Sequence, residues 1–184
     1  MSSPIVEPVL PQGFSFRNYR DGDALNWASM EVAINDFDTV DNGVRYFQDK
    51  YVSRLSDLHQ RFVCVQDSHG NAAGSVIAWY HYLGDIRIPT VHWLVVRPEY
   101  QGVGLGSPLV AKMLQVFALF GRQPVYLHTQ PWSYKAIALY AKHGFYLLKT
   151  ETIMHYENQY DEAMPILKRI MKPEVFRKLM DEAR

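Results

Sequence analysis

The sequence predicts an α/β fold from three observations. Apolar stretches of strand length recur, segments with apolar residues three or four apart fall between them, and Gly, Pro, Asn and Asp punctuate the joins. At 184 residues the chain suits one domain able to bury a sizeable core, and no internal repeat or low-complexity tract is visible.

Residues 1–13, MSSPIVEPVLPQG, hold three prolines and read as a flexible lead, without the basic start and apolar run of a secretory signal. FSFRNY (14–19) alternates as a strand, and RDGDALNWASMEVAI offers a turn, Asp23 as helix cap and helical apolar spacing. NDFDTVDNG (35–43) is an acidic connection. VRYFQDKYVSRL (44–55) then sets Val44, Phe47, Tyr51 and Leu55 on one helical face. RFVCVQD and AAGSVIAWYHY flank the polar turn SHGN as a hairpin, GDIRIP separates that hairpin from VHWLVV, and VHWLVV is a β-branched strand.

After QGVGLG, Leu105, Leu109, Met113 and Phe117 recur every fourth residue up to Gly121. Pro108 is tolerable only in a first turn, so that helix begins within a few residues upstream. PVYLHT (124–129) is a strand, Ser133 an N-cap, YKAIALYAKH a helix closed by Gly144, and FYLLKT (145–150) a further strand. Residues 151–184 read as an appendage, a strand or extended piece followed by charged helical segments interrupted by Pro165 and Pro173, either part of the same domain or a dimer contact.

Nineteen basic and nineteen acidic side chains cancel, which makes a nucleic-acid partner or an anionic membrane an unneeded assumption. No segment reaches the roughly 20 apolar residues of a membrane helix. The single cysteine, Cys64, sits in an apolar strand as a core residue. Seven histidines include no pair at metal-ligand spacing, so no metal is expected. A protein of the reducing cytoplasm is the resulting expectation.

The chemistry-bearing stretch is Gln101-Gly-Val-Gly-Leu-Gly. A strand that ends in a glycine-rich turn and feeds a helix gathers unpaired N–H groups at the positive end of the helix dipole, where phosphates bind. The dinucleotide fingerprint requires glycine where Ser107 stands, and the nucleotide P-loop requires a lysine before that serine. A plain glycine-rich turn remains open on this motif alone.

Two motifs together resemble the GNAT superfamily of N-acetyltransferases. Gln101, Gly104 and Gly106 match its acetyl-CoA signature. Downstream, SYKAIALYAKHGF matches a second family pattern at Ala136, Leu139, Tyr140, Gly144 and Phe145, and departs from it at Ser133, where asparagine is common. The resemblance covers residues 14–150. It implies a mixed, mostly antiparallel sheet with flanking helices, to which residues 151–184 add a C-terminal helical extension.

It further implies that acetyl-CoA lays its pyrophosphate on Gln101, Gly102, Val103, Gly104, Leu105, Gly106 and Ser107, with Ser133 as a further contact. Its pantetheine arm would pair with the backbone of Leu94, Val95 and Val96. Tyr140 would hydrogen-bond or protonate the coenzyme sulfur. His92 matches a proton-handling histidine of the serotonin N-acetyltransferase branch, and His128 is a weaker alternative. Asp36, Asp38 and Asp41 are candidates for drawing in a cationic amine, and Trp79, Tyr80, Tyr82 and Trp132 for aromatic walls. The expected activity is direct acetyl transfer to a primary amine in a ternary complex, with a homodimer as one assembly. A coenzyme-binding sensor or interaction module of the same fold is the alternative.

Overall fold

Four strands, β1 (Ser15–Arg17), β2 (Phe62–Gln66), β3 (Ala72–Leu83) and β4 (Ile86–Val96), line up in the sheet order β1-β2-β3-β4. The computed structural model describes residues 7–121, 124–152 and 156–184. They fall into two units. One holds the described residues up to Tyr80 together with Pro89–Val125; the other holds His81–Ile88 and Tyr126–Arg184.

In the first unit, β1 pairs antiparallel with β2 (Phe16 opposite Val65), and β2 pairs antiparallel with β3 (Val63 opposite Val76). Helices α1 (Asp23–Ala33), α2 (Val40–Tyr51) and α3 (Leu55–Arg61) precede β2, and α4 (Gly106–Leu119) follows β4. Trp27, Met30, Phe47, Tyr51, Leu58 and Ile77 are fully buried in its core. Cys64 joins them, and burial pushes its thiol up to about 12, so it is unionised and packs as an apolar residue.

Several boundaries differ from expectation, each for a local reason. Gly22, at φ 92°, takes the N-cap place of α1, so Asp23 is the first helical residue. Its carboxylate accepts from the Arg20 backbone N–H at 2.7 Å and from both Arg17 terminal nitrogens at 2.5 and 2.7 Å. The acidic connection is shorter than read, because the Thr39 hydroxyl accepts from the Asn42 N–H and starts α2 at Val40. That helix ends at Tyr51, and a 3₁₀ turn at Val52–Arg54 leads to α3, which the periodicity did not separate. GDIRIP is no separator: only Gly84 and Asp85 lie between β3 and β4. Pro89 lies in β4, the end strand of that order and the kind of strand that tolerates proline.

In the second unit, α5 (Tyr134–Lys142), α6 (Tyr160–Ile170) and α7 (Pro173–Glu182) share a core of Ile137, Leu167, Met171 and Leu179. Pro165 does not interrupt α6 but lies inside it, costing one hydrogen bond, and Pro173 opens α7 at its first position.

PVYLHT and FYLLKT form no strand; the first keeps one bridge residue, Tyr126, among its described residues. The backbone of the second is satisfied elsewhere. Lys149 N–H donates to the Arg184 carbonyl at 2.6 Å, and Arg184 N–H donates to Leu147 at 2.9 Å. The Asn158 amide donates to the Leu148 carbonyl at 3.0 Å, so these groups need no strand partner.

Candidate functional site

Where β4 ends, the Arg97 N–H donates to the Ala73 carbonyl at 2.9 Å and keeps the chain on β3. A 3₁₀ turn at Pro98–Tyr100 follows. It is pinned by the Tyr100 hydroxyl on Asp67 at 2.8 Å. Hydrogen bonds from Asn71 and Tyr100 hold that carboxyl well below the usual carboxylate range. The Gln101 side chain reaches back to donate to the Val96 carbonyl at 3.1 Å, clasping the loop to the strand it leaves.

The next residues supply the concavity. Gly102 and Gly104 have φ of 82° and 95°, and Leu105, buried, returns to the right-handed region just before α4 begins at Gly106. This alternation of backbone hand turns successive N–H groups toward one side as an anion nest. Among the described residues, no backbone carbonyl outside the helix accepts from the N–H of Gly102, Val103, Gly104 or Leu105. A Cβ on Gly104 would meet only Pro11 Cγ at 3.9 Å, so the positive φ requires glycine there and the space beside it is open. Pro108 lies in the first turn of α4, as its chemistry demanded.

Strand β4 carries the second half of this unit's site. Trp93 sits in the left-handed region at φ 52°, a conformation that costs a bulky residue about 1–3 kcal/mol. Its ring packs on Trp27, Phe37 and Tyr46 at 5.4, 5.5 and 5.5 Å between centroids. One residue earlier, His92 Nδ1 lies 2.8 Å from the Tyr51 hydroxyl of α2. Burial raises the Tyr51 phenol well above its ordinary value, and the neighbouring Tyr46 adds to the rise, so the phenol is neutral.

Leu94 and Val96 are half-buried, and Val95 is buried. Opposite them stands Gly74, where a Cβ would come 2.7 Å from the Val95 carbonyl oxygen and 3.2 Å from Val96 Cγ2. Gly74 was not singled out in the sequence, although a glycine inside an apolar strand is the signal of a close backbone approach.

Tyr140 and Ser133 belong to the second unit. Gly144, at φ 87°, closes α5 as a Schellman cap: the Phe145 N–H donates to the Tyr140 carbonyl and the Gly144 N–H to Ala141. The Tyr140 and Phe145 rings meet edge to face at 5.6 Å, the apolar contact that accompanies such a cap. Part of the Tyr-x-x-x-Gly-Phe pattern is therefore helix-termination chemistry. Ser133 occupies the N-cap position of α5, but its hydroxyl makes no capping hydrogen bond. His128 stacks flat on Tyr156 at 4.0 Å.

The acceptor candidates separate. Asp36 and Asp38 lie in the connection before α2, with the Asp36 carboxyl raised by burial, while Asp41 lies in the first turn of the helix. Trp79 and Tyr80 are core residues stacked on each other, while Tyr82 and Trp132 are exposed. Sequence reading missed Glu31, which α1 buries in the first unit beside Trp27. Among the described residues, no cluster of three or more His, Cys, Asp or Glu could hold a metal, and no helix is long and apolar enough to cross a membrane.

Residues 27–145 match the Acetyltransferase (GNAT) family. The chain belongs to the GNAT acetyltransferase family. Mycothiol acetyltransferase of Streptomyces bingchenggensis is 28% identical over 156 residues, covering 83% of this chain and 49% of the relative. The chain thus spans about half the length of that GNAT relative. An uncharacterised N-acetyltransferase of Archaeoglobus fulgidus is 26% identical over 132 residues, 61% of this chain and 90% of its own. Among solved structures, spermidine N-acetyltransferase from Vibrio cholerae in complex with CoA and spermine shares the GNAT fold. Its TM-score is 0.51 at 21% identity, covering 78% of this chain and 89% of that one.

Proposed function

We propose that this protein is an acetyl-CoA-dependent N-acetyltransferase that acts on a primary amine, of a small molecule or an exposed peptide, by direct transfer in a ternary complex. The observation that carries the reading is the loop from Gln101 to Ser107. In a member of this family, it presents backbone N–H groups and open space at the start of α4. A pyrophosphate there replaces water on groups that the fold has already oriented.

The chemistry needs two proton transfers. An alkylamine with a pKa of about 10.4 arrives protonated and must lose a proton before its lone pair attacks the thioester carbonyl. His92 takes that proton on Nε2, in the tautomer whose Nδ1–H donates to the neutral Tyr51 oxygen 2.8 Å away. A backbone N–H of the Leu94–Val96 stretch polarises the carbonyl as negative charge develops on its oxygen. When the tetrahedral intermediate collapses, the C–S bond breaks and the thiolate takes the Tyr140 proton. The products are the amide and free coenzyme A.

Calorimetric titration with acetyl-CoA, using NADH as control, followed by turnover on an amine panel tests this reading. Tyr140→Phe is expected to lower kcat about 100-fold with KM little changed, as for loss of a general acid. His92→Ala is expected to lower kcat/KM about 100-fold and remove its dependence on a group titrating near neutrality. Both variants folded and fully active would remove the assigned roles. No acetyl-CoA binding by folded, ligand-free protein would remove the function.

A further inference from the structure

Glu31 is almost completely buried, and its Oε1 makes no hydrogen bond. Beside it lies the buried Trp27 indole N–H, which favours the ionised carboxyl as a hydrogen-bond donor. A domain rarely leaves a buried carboxyl oxygen without a donor, because burying an unsatisfied polar group is costly. Around them stand aromatic faces. Trp27, Phe37, Tyr46 and Trp93 contact one another at 5.4–6.0 Å between centroids, and Phe37, Tyr46 and Trp93 are only half-buried. Trp93 joins this wall through its left-handed backbone, next to His92 on β4.

A buried carboxyl beside a cluster of aromatic rings is complementary to an alkylammonium. The rings attract a cation by their quadrupoles, and the carboxylate neutralises it out of water. Such a site does not suit the nitrogen that reacts, since a buried carboxylate would hold that nitrogen protonated while the attack needs its lone pair. Resting on the acetyltransferase reading above, we propose that Glu31 and its aromatic wall form an acceptor subsite for a second, non-reacting ammonium group. The acceptors are then of the diamine class, with one nitrogen anchored at Glu31 and the other presented toward His92. Entry requires the half-buried rings to part.

Without a ligand, burial and the nearby Asp36 push the Glu31 carboxyl up to about 8, while the Trp27 indole opposes the rise. The other titratable groups of this cluster are Tyr46 and Tyr51 on α2, both phenols, and His92 on β4, engaged with Tyr51. Ammonium binding must therefore expel the Glu31 proton below that value. Affinity for the cation should rise with pH between 6 and 8, by up to about tenfold per unit.

The experiment is calorimetric titration of the full chain with 1,4-diaminobutane and with 4-amino-1-butanol, which replaces one ammonium by a neutral hydroxyl. The titrations are run from pH 6 to 9, with acetyl-CoA affinity measured on the same samples. The expected result is tighter binding of the diamine by about tenfold or more, with the stated pH dependence. Glu31→Gln should bring both probes to one weak affinity and leave acetyl-CoA binding unchanged. Equal binding of the two probes, a diamine affinity flat between pH 6 and 8, or full diamine affinity in the variant overturns the subsite. Acetyl-CoA binding without any saturable diamine binding also overturns the subsite but leaves the acetyltransferase reading standing. Folded protein that binds neither defeats both.

Discussion

The loop from Gln101 to Ser107 and the cluster around Glu31 lie in the same unit and are built from opposite materials. The loop works with main chain, so its demands fall on residue types: Gly102 and Gly104 are there because their φ is positive. The cluster works with side chains brought from α1, the connection after it, α2 and β4, and apart from the left-handed Trp93 none of them has a backbone that sets it apart in its own segment. A backbone site writes its requirement into consecutive letters, and a side-chain site writes it into packing.

The sharpest way to break this contrast is Gly104→Val. A β-branched residue cannot hold φ 95° without strain, so the loop should refold locally, and acetyl-CoA affinity should fall by about 100-fold or more. The open space beside Gly104 limits the loss of global stability to about 1–3 kcal/mol. Titration and a thermal melt of the same sample read both quantities. Lost stability with intact affinity would show that the glycine serves the fold alone.

Gly74→Ala tests the other side, a glycine set by packing rather than by φ. The added methyl would press on the Val95 carbonyl oxygen at 2.7 Å, with Leu109 and Val96 closing the remaining space. The expected cost is about 1–3 kcal/mol, since the backbone of β4 has to move. Urea unfolding should show it, and an unchanged midpoint would mean that β4 yields freely.

A smaller effect sharpens the reading of the aromatic cluster. Glu31 has a carboxyl raised from an ordinary 4.5 to about 8, so the folded state holds its proton where the unfolded chain has lost it. Stability from this group is complete below the unfolded value and is lost as pH rises through about 8. Glu31→Gln should therefore match the natural protein below about pH 4.5 and exceed its Tm increasingly up to about pH 8, levelling off above, by about 2–4 °C for each kcal/mol gained. A Tm difference that does not grow with pH would place the ionised carboxylate in contact with a compensating group.

What sequence alone disclosed follows the same division. The coenzyme loop, the start of α4 forced by Pro108, and the Gly144 stop of α5 were legible because proline and glycine have few backbone options. Glu31 was not legible: its place on α1 gives no sign that the carboxyl is buried, which depends on where α2 and β4 pack. Tyr51 was read as one of several apolar-face residues, and only the fold pairs its hydroxyl with His92. The segments 124–129 and 145–150 have strand-like composition, yet Arg184 and Asn158, distant in sequence, take up the backbone groups of the second.

Cys64 has a practical consequence of a different kind. It is the only thiol of the chain, buried and unionised, so maleimide and iodoacetamide reagents find no target in the folded protein. The natural sequence is thus its own silent background for labelling. Val103 is 46% exposed within the glycine loop, and Val103→Cys would carry a single dye at the place where the coenzyme is proposed to land.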